Sequence, residues 1–185
     1  MNPQKAIIPG IIIGSLILIL LARFLTSTEP ASAATPEPSQ AASAKTQSPE
    51  CSLSNLPEKV QPWCSLIQDA ASKYGVPADL IASVMLQESG GQAEVISSSG
   101  AVGLLQVMPS DGIAASFQCA NGPCFASRPT TQQLLDPAFN VEYGVKMLAS
   151  LIAKTGSERE ALKAYGPYDV GYYYADKVLA IKENL

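Results

Sequence analysis

An all-α domain is the fold class predicted by the sequence, and two observations carry it. From Trp63 onward, apolar residues recur at helical spacing in segments punctuated by Gly, Pro and Ser. No run alternates convincingly with period two, so an antiparallel sheet of any size is not expected.

The first helix is read from Trp63, Leu66, Ile67, Ala70, Ala71 and Tyr74, an apolar stripe ended by Gly75. Pro77 then fixes φ for the first turn of a second helix, in which Leu80, Ile81, Val84 and Met85 recur. Glu88 continues that stripe, four residues after Val84, and so points toward the interior while Asp79 and Gln87 point elsewhere. Ser89, Gly90 and Gly91 stop the helix, which leaves this carboxylate in the last turn beside the negative end of the helix dipole. Burial and the dipole both disfavour the ionised form, so Glu88 is expected to have a raised pKa and to act as a general acid near neutral pH. Asp136-Pro137 opens a third helix carrying Val141, Val145, Leu148 and Ile152. Ser157 and Glu160 read as a capping box for a short helix ending near Tyr165.

These helices belong to residues 51–185, behind two segments of different character. Residues 1–25 hold an uncharged, almost wholly apolar run, Ala6 to Ala22. As a helix it spans about 26 Å, and adding Phe24 and Leu25 with Arg23 snorkelling brings it to about 30 Å, one bilayer crossing. An uncleaved transmembrane anchor is the expectation. A signal peptide cut near Ala31-Ser32-Ala33 is the alternative, although the run exceeds a usual signal core and Arg23 interrupts the path to that site. Residues 26–50 are rich in Ala, Ser, Thr and Pro without an aromatic residue, the composition of a flexible linker. Such a tether reaches about 28 Å as a coil and about 80 Å when extended.

The chain contains no histidine, which excludes Ser-His-Asp and Cys-His catalysis and histidine metal sites. No phosphate-binding Gly-x-x-x-x-Gly-Lys loop is present. No cofactor and no metal are expected. Of the 12 Lys+Arg and 16 Asp+Glu, three of each precede Cys51, so the domain keeps the chain's net charge of −4 and nucleic acid is not an expected partner. The cysteines, Cys51, Cys64, Cys119 and Cys124, lack any Cys-x-x-Cys element and read as disulfides. Cys119 and Cys124 close a short loop through the turn sequence Asn121-Gly122-Pro123, and Cys51 with Cys64 would pin the start of the domain to its first helix. Three pairings are formally open, with free thiols a further alternative. Bridges would place the domain outside the cytoplasm.

Glu88-Ser89, followed at ungapped offsets by Ser97, Gly100-Ala101, Gly103-Leu104, Gln106, Met108 and Pro109, resembles the signature of the bacterial soluble lytic transglycosylase family, the relatives of goose-type lysozyme. Asp136-Pro137 with Asn140 and Gly144 is similar to that family's next helix start, Ala164-Tyr165 to its Ala-Tyr-Asn block, and Tyr174 to Val178 to its closing helix. The resemblance covers roughly Trp63 to Leu179 and implies a lysozyme-like fold. It makes Glu88 the single catalytic acid/base, with Ser97 and Gln106 lining a saccharide groove and Met108 as a wall. It also brings Tyr165 close to the acid, where its hydroxyl would orient Glu88 or contact a substrate N-acetyl group. Two departures stand out: Gly166-Pro167 replaces the usual asparagine, and Met147 stands where an aromatic is common. The segment from Asp111 to Leu135 looks like a local elaboration.

The resemblance implies cleavage of the β-1,4 bond between N-acetylmuramic acid and N-acetylglucosamine in peptidoglycan, without water, to give 1,6-anhydro ends. Hydrolysis as in goose-type lysozyme is the nearer alternative. It normally needs a second carboxylate, for which Asp111 and Asp169 are the candidates, although both read as caps. A membrane-tethered module that binds wall glycan without cutting is the other class. The expected partners are glycan strands and, through the N-terminal helix, a membrane. Wall remodelling, a secretion or conjugation apparatus, and a virus with its virion membrane all fit this layout.

Overall fold

The computed structural model describes Leu53 and residues 55–185. The expected anchor, the linker and Cys51 lie outside the described residues. Among those described, no helix is long and apolar enough to cross a membrane.

A single 3-10 turn at Gln61–Trp63 leads into α1, Cys64–Tyr74, which buries Ile67 and Ala70 and ends where Gly75 takes φ +67°. That conformation suits glycine and lets its N–H close on the Ala71 carbonyl. The second helix, α2, runs Ala78–Ser89, with Pro77 one position earlier than the sequence suggests, at the cap. The sequence shows α2 as a one-sided stripe. The structure buries every residue from Leu80 to Met85, because α1 packs on one side and α6 on another. α2 is the central helix of the domain.

From Gly90 to Ser110 the chain folds back on itself without regular strands. Val102 forms isolated antiparallel bridges to Ile96 and to Val107. Three pieces of extended chain thus meet at one buried residue, too short to leave a period-two signal. Val102, Leu104, Leu105 and Val107 sink into the core. Residues 111–135 follow as a segment of short elements: a 3-10 turn at Gly112–Ser116, a hairpin of β1, Gln118–Cys119, with β2, Gly122–Pro123, and a one-turn helix α3, Thr131–Leu134. Cys119 and Cys124 are bonded across the hairpin. Cys64 is disulfide-bonded too, and Cys51, the partner the sequence suggests for it, lies outside the described residues. A full capping box at Thr130 and Gln133 starts α3, a signal the sequence reading passes over.

Helix α4, Pro137–Thr155, is capped by Asp136, whose carboxylate accepts from the Phe139 N–H at 2.8 Å, and buries Val141, Val145 and Leu148. α5, Glu158–Tyr165, starts at Ser157, whose hydroxyl accepts from the Glu160 N–H. The other half of the expected capping box is not formed. Glu160 instead accepts a 2.5 Å bond from the Tyr172 hydroxyl, which ties α5 to the start of α6, Tyr173–Lys182. The Arg159–Asp176 ion pair reinforces the same junction, and α5 packs on both α4 and α6.

Asn140 of α4 joins the irregular loop to the helices. It is wholly buried, and its side chain makes three hydrogen bonds: it accepts from the Leu105 N–H and donates to the Val102 and Leu134 carbonyls, each at 2.9 Å. Gly103 makes room for it, since a Cβ there would lie 2.4 Å from the Asn140 amide nitrogen. Removing this amide strands three buried backbone groups. Asn140→Ala is therefore expected to cost about 3 kcal/mol or more in chemical denaturation, whereas Ser150→Ala, which removes an exposed hydroxyl bond to Lys146, leaves the midpoint almost unmoved.

Candidate active site

Glu88 occupies the last turn of α2, just before Gly90 turns the chain at φ +61°. Its carboxylate faces α6 and accepts a 2.5 Å hydrogen bond from the Tyr174 hydroxyl. Burial pushes the carboxyl from 4.5 up to about 7, and the Tyr174 hydrogen bond, which favours the ionised form, works against that rise. No charged neighbour contributes. The acid is tuned by desolvation.

Two phenols stand close to this group. Burial, and then the negative charge of Glu88, drive the hydroxyls of Tyr174 and Tyr165 well above the ordinary tyrosine value, so both remain donors at any working pH. Their partners differ. Tyr174 donates to Glu88, while the Tyr165 hydroxyl donates to the Leu105 carbonyl at 2.9 Å, against Gly144 of α4. The phenol on the carboxylate thus comes from α6, and Tyr165 braces the loop. Tyr174 is 6% exposed in a run where Tyr168 and Tyr173 are open to solvent. The only sequence signal separating it from its neighbours is the Tyr174–Val178 stripe at i, i+4.

Gly166 explains how Tyr174 reaches this position. A Cβ at Gly166 would lie 2.4 Å from the Tyr174 ring. The glycine serves close approach rather than an unusual φ, which is an ordinary −72° here. The departure at this position thus leaves space that the ring of Tyr174 fills.

Ser89 is wholly structural. Its hydroxyl donates to the Leu104 carbonyl at 2.9 Å and accepts from the Gly91 N–H at 3.1 Å, stitching the loop to the end of α2. Trp63 donates to the Gly91 carbonyl from the other side. Ser97 and Gln106 lie on the same loop with their polar groups turned to its backbone. The Ser97 hydroxyl accepts from the Ala101 N–H at 3.0 Å, and the Gln106 amide donates to the carbonyls of Gly103 and Val95 at 3.0 and 3.2 Å. Gln106 has φ +44°, a strained conformation for a residue with a side chain. Met108 is half-buried at the end of this loop, before buried Pro109.

The carboxylate of Asp111 accepts from both the N–H and the hydroxyl of Thr131, at 2.8 and 2.6 Å, which holds its pKa below the usual range. That tie anchors the segment 111–135. Asp169 is exposed. Among the described residues, no group of three His, Cys, Asp or Glu side chains is placed to hold a metal ion. The sequence reading missed Tyr174 as the partner of the acid, and the loop ties made by Ser89 and Asn140.

The raised pKa has a consequence for stability. The folded state holds its proton up to about pH 7 and the unfolded chain only to about 4.5, so stability falls as pH rises between these values. Glu88→Gln removes the buried charge and keeps an acceptor for Tyr174. It is expected to stabilise the protein by about 2–3 kcal/mol at pH 8 and by nothing near pH 4 in thermal or urea melts.

Residues 65–171 match the family model described as the transglycosylase SLT domain. Membrane-bound lytic murein transglycosylase E of Buchnera aphidicola is 36% identical over 92 residues, 50% of this chain and 40% of that protein. Endo-type membrane-bound lytic murein transglycosylase A of Klebsiella pneumoniae is 30% identical over 94 residues, 51% of this chain and 45% of that protein. The chain thus covers less than half the length of these curated relatives. A solved structure of an inactive mutant of lytic transglycosylase Slt from Pseudomonas aeruginosa, 22% identical, aligns with 64% of this chain and 23% of its own at a TM-score of 0.49, too slight a likeness to support any conclusion. The family model spans more than half of the sequence and takes in α2 with Glu88, the loop after it and Tyr165, so this chain belongs to the transglycosylase SLT domain family.

Proposed function

We propose that the domain cleaves peptidoglycan strands as a lytic transglycosylase, with Glu88 as both acid and base. The observation that carries this reading is a carboxyl held near pH 7 by burial, with a phenol on one oxygen and no second charged group acting on it. About half of such groups are protonated at neutral pH, as a general acid requires. Two-carboxylate hydrolysis needs a partner for the acid, and Asp111 is committed to Thr131.

In the reaction proposed, Glu88 gives its proton to the glycosidic oxygen between the muramyl and glucosaminyl sugars as that bond breaks. The substrate's own acetamido oxygen shields the positive charge developing at C1. Glu88, now a carboxylate, takes the proton of the C6 hydroxyl as O6 closes on C1, and the 1,6-anhydro ring forms with the enzyme restored. Tyr174 holds the carboxylate in one orientation through both steps and stabilises its charged interval. Ser97, Gln106 and Met108 line the groove in this reading; the carbonyl oxygen of Gln106, which takes no part in the amide's bonds to the loop, faces the task of binding substrate N–H or O–H groups. The names of the membrane-bound relatives and the Cys119–Cys124 bridge support a domain held at a membrane and acting outside the cytoplasm.

Mass spectrometry of fragments from purified peptidoglycan treated with the full chain tests the reaction. Anhydro-muramyl ends are expected; reducing ends would make the enzyme a hydrolase, and no cleavage with retained wall binding would make it a binding module. Glu88→Gln is expected to lower kcat by about a thousandfold or more. kcat/KM is expected to fall as pH rises through about 7, where the free enzyme loses the acid's proton. Tyr174→Phe removes the contact that lowers that pKa, so its alkaline limb moves to higher pH while kcat drops about 10- to 100-fold.

A further inference from the structure

The segment of residues 111–135 plays no part in the chemistry above, yet one of its side chains returns to the site. The guanidinium of Arg128 lies against the sulfur of Met147 and 6.0 Å from the ring centre of Phe125. Met147 is one turn beyond Gly144 on α4 and on the same face, and Gly144 is where the Tyr165 hydroxyl and Leu105 meet. The Tyr165 hydroxyl senses the charges of both Glu88 and Arg128. Arg128 therefore stands beside Met147 and within electrostatic reach of the Tyr165 hydroxyl.

No carboxylate among the described residues pairs with this charge. The ion pairs among the described residues use Lys73, Arg159 and Lys182, and none uses Arg128. A thioether is a weak acceptor and an aromatic face a weak counter-charge, so neither Met147 nor Phe125 replaces a carboxylate. The backbone that carries the side chain is also held in place. The Arg128 N–H bonds to the Phe125 carbonyl, the Ser110 N–H bonds to the Pro129 carbonyl at 2.9 Å, Asp111 grips Thr131, and the disulfide closes the hairpin just upstream. A part-buried, pre-positioned planar fork is suited to a carboxylate, which it can bind through two parallel hydrogen bonds. In a chain of net charge −4, an anionic polymer needs such a local cation.

The geometry points to Arg128 as the residue that binds a carboxylate of the muramyl unit at the cleavage site. Resting on the wall-glycan reading above, this assigns the segment 111–135 a role in substrate choice. The carboxylate is that of the lactyl group where the stem peptide is absent, or one carried by the stem where it is present. Met147 serves as the apolar rest for the guanidinium.

Equilibrium binding tests this without cleavage, with the full chain carrying Glu88→Gln. The ligands are short soluble strands with free lactyl carboxylates, the same strands with these carboxylates converted to methyl amides, and strands bearing stem peptides. A carboxylate-bearing strand is expected to bind about tenfold more tightly than the amide strand. Arg128→Gln should abolish that preference while leaving affinity for the amide strand unchanged, which also shows that the variant is folded; Arg128→Lys should keep part of it. Preference for the lactyl form or for the stem-bearing form identifies the source of the carboxylate. Equal binding of all three ligands, unchanged binding in Arg128→Gln, or no binding of any strand overturns the proposal. Failure of the transglycosylase reading is seen separately, as an unmutated chain that leaves the same strands uncut while the Arg128-dependent preference persists.

Discussion

A carboxyl group is held largely away from water at the end of the most deeply buried helix, and the rest of the domain is arranged around it. Burying Glu88 favours its protonated form, while Tyr174 returns part of the lost solvation through a single directed bond. Without the phenol, the ionised form would sit in an apolar recess with no donor. Without the burial, the group would be ionised at neutral pH and could not serve as the proposed acid. The balance depends on α6 packing against α2 at one register, which the Arg159–Asp176 and Glu160–Tyr172 contacts at the α5–α6 junction help to hold.

On the other side of the acid, the domain presents backbone rather than a sheet or helix. Such a loop remains in one conformation only if its buried polar groups are satisfied, and here side chains from the surrounding helices do so. Asn140 comes from α4, Ser89 from the end of α2 and Tyr165 from α5, and each bonds a peptide group between residues 102 and 105. Glycines at 103 and 144 remove the atoms that would keep these partners apart. Strain at Gln106 is carried by the same scaffold. The result is a well-tied rim beside a titratable group, which fits the proposed saccharide site.

The two places where the chain departs from the family's signature both have a physical counterpart in the packing. At Gly166 the absent side chain admits the ring of Tyr174. At Met147 a flexible thioether takes the weight of Arg128, delivered by a segment that a disulfide and Asp111 hold in shape. Both changes leave the acid in place and alter what surrounds it, which is where substrate choice is made.

Much of this was legible in the residues. Helical periodicity located α1, α2 and α4 closely, because each buries a stripe whose spacing is set by the 3.6-residue turn. Gly75, Gly90 and Asp136 marked their ends through local backbone chemistry, and Glu88 was singled out because it continued an apolar stripe into a glycine stop. Contacts distant in sequence were not legible. Only the Tyr174–Val178 stripe sets Tyr174 apart from four nearby tyrosines, and nothing local aims it at Glu88, assigns Asn140 to the Leu105 peptide group or carries Arg128 to Met147. The sequence by itself determined which helices form and that one carboxylate would be buried, since periodicity and capping act within a few residues. The tertiary structure alone decided which phenol meets that carboxylate and which cation meets Met147, since those pairings follow from how separate segments pack.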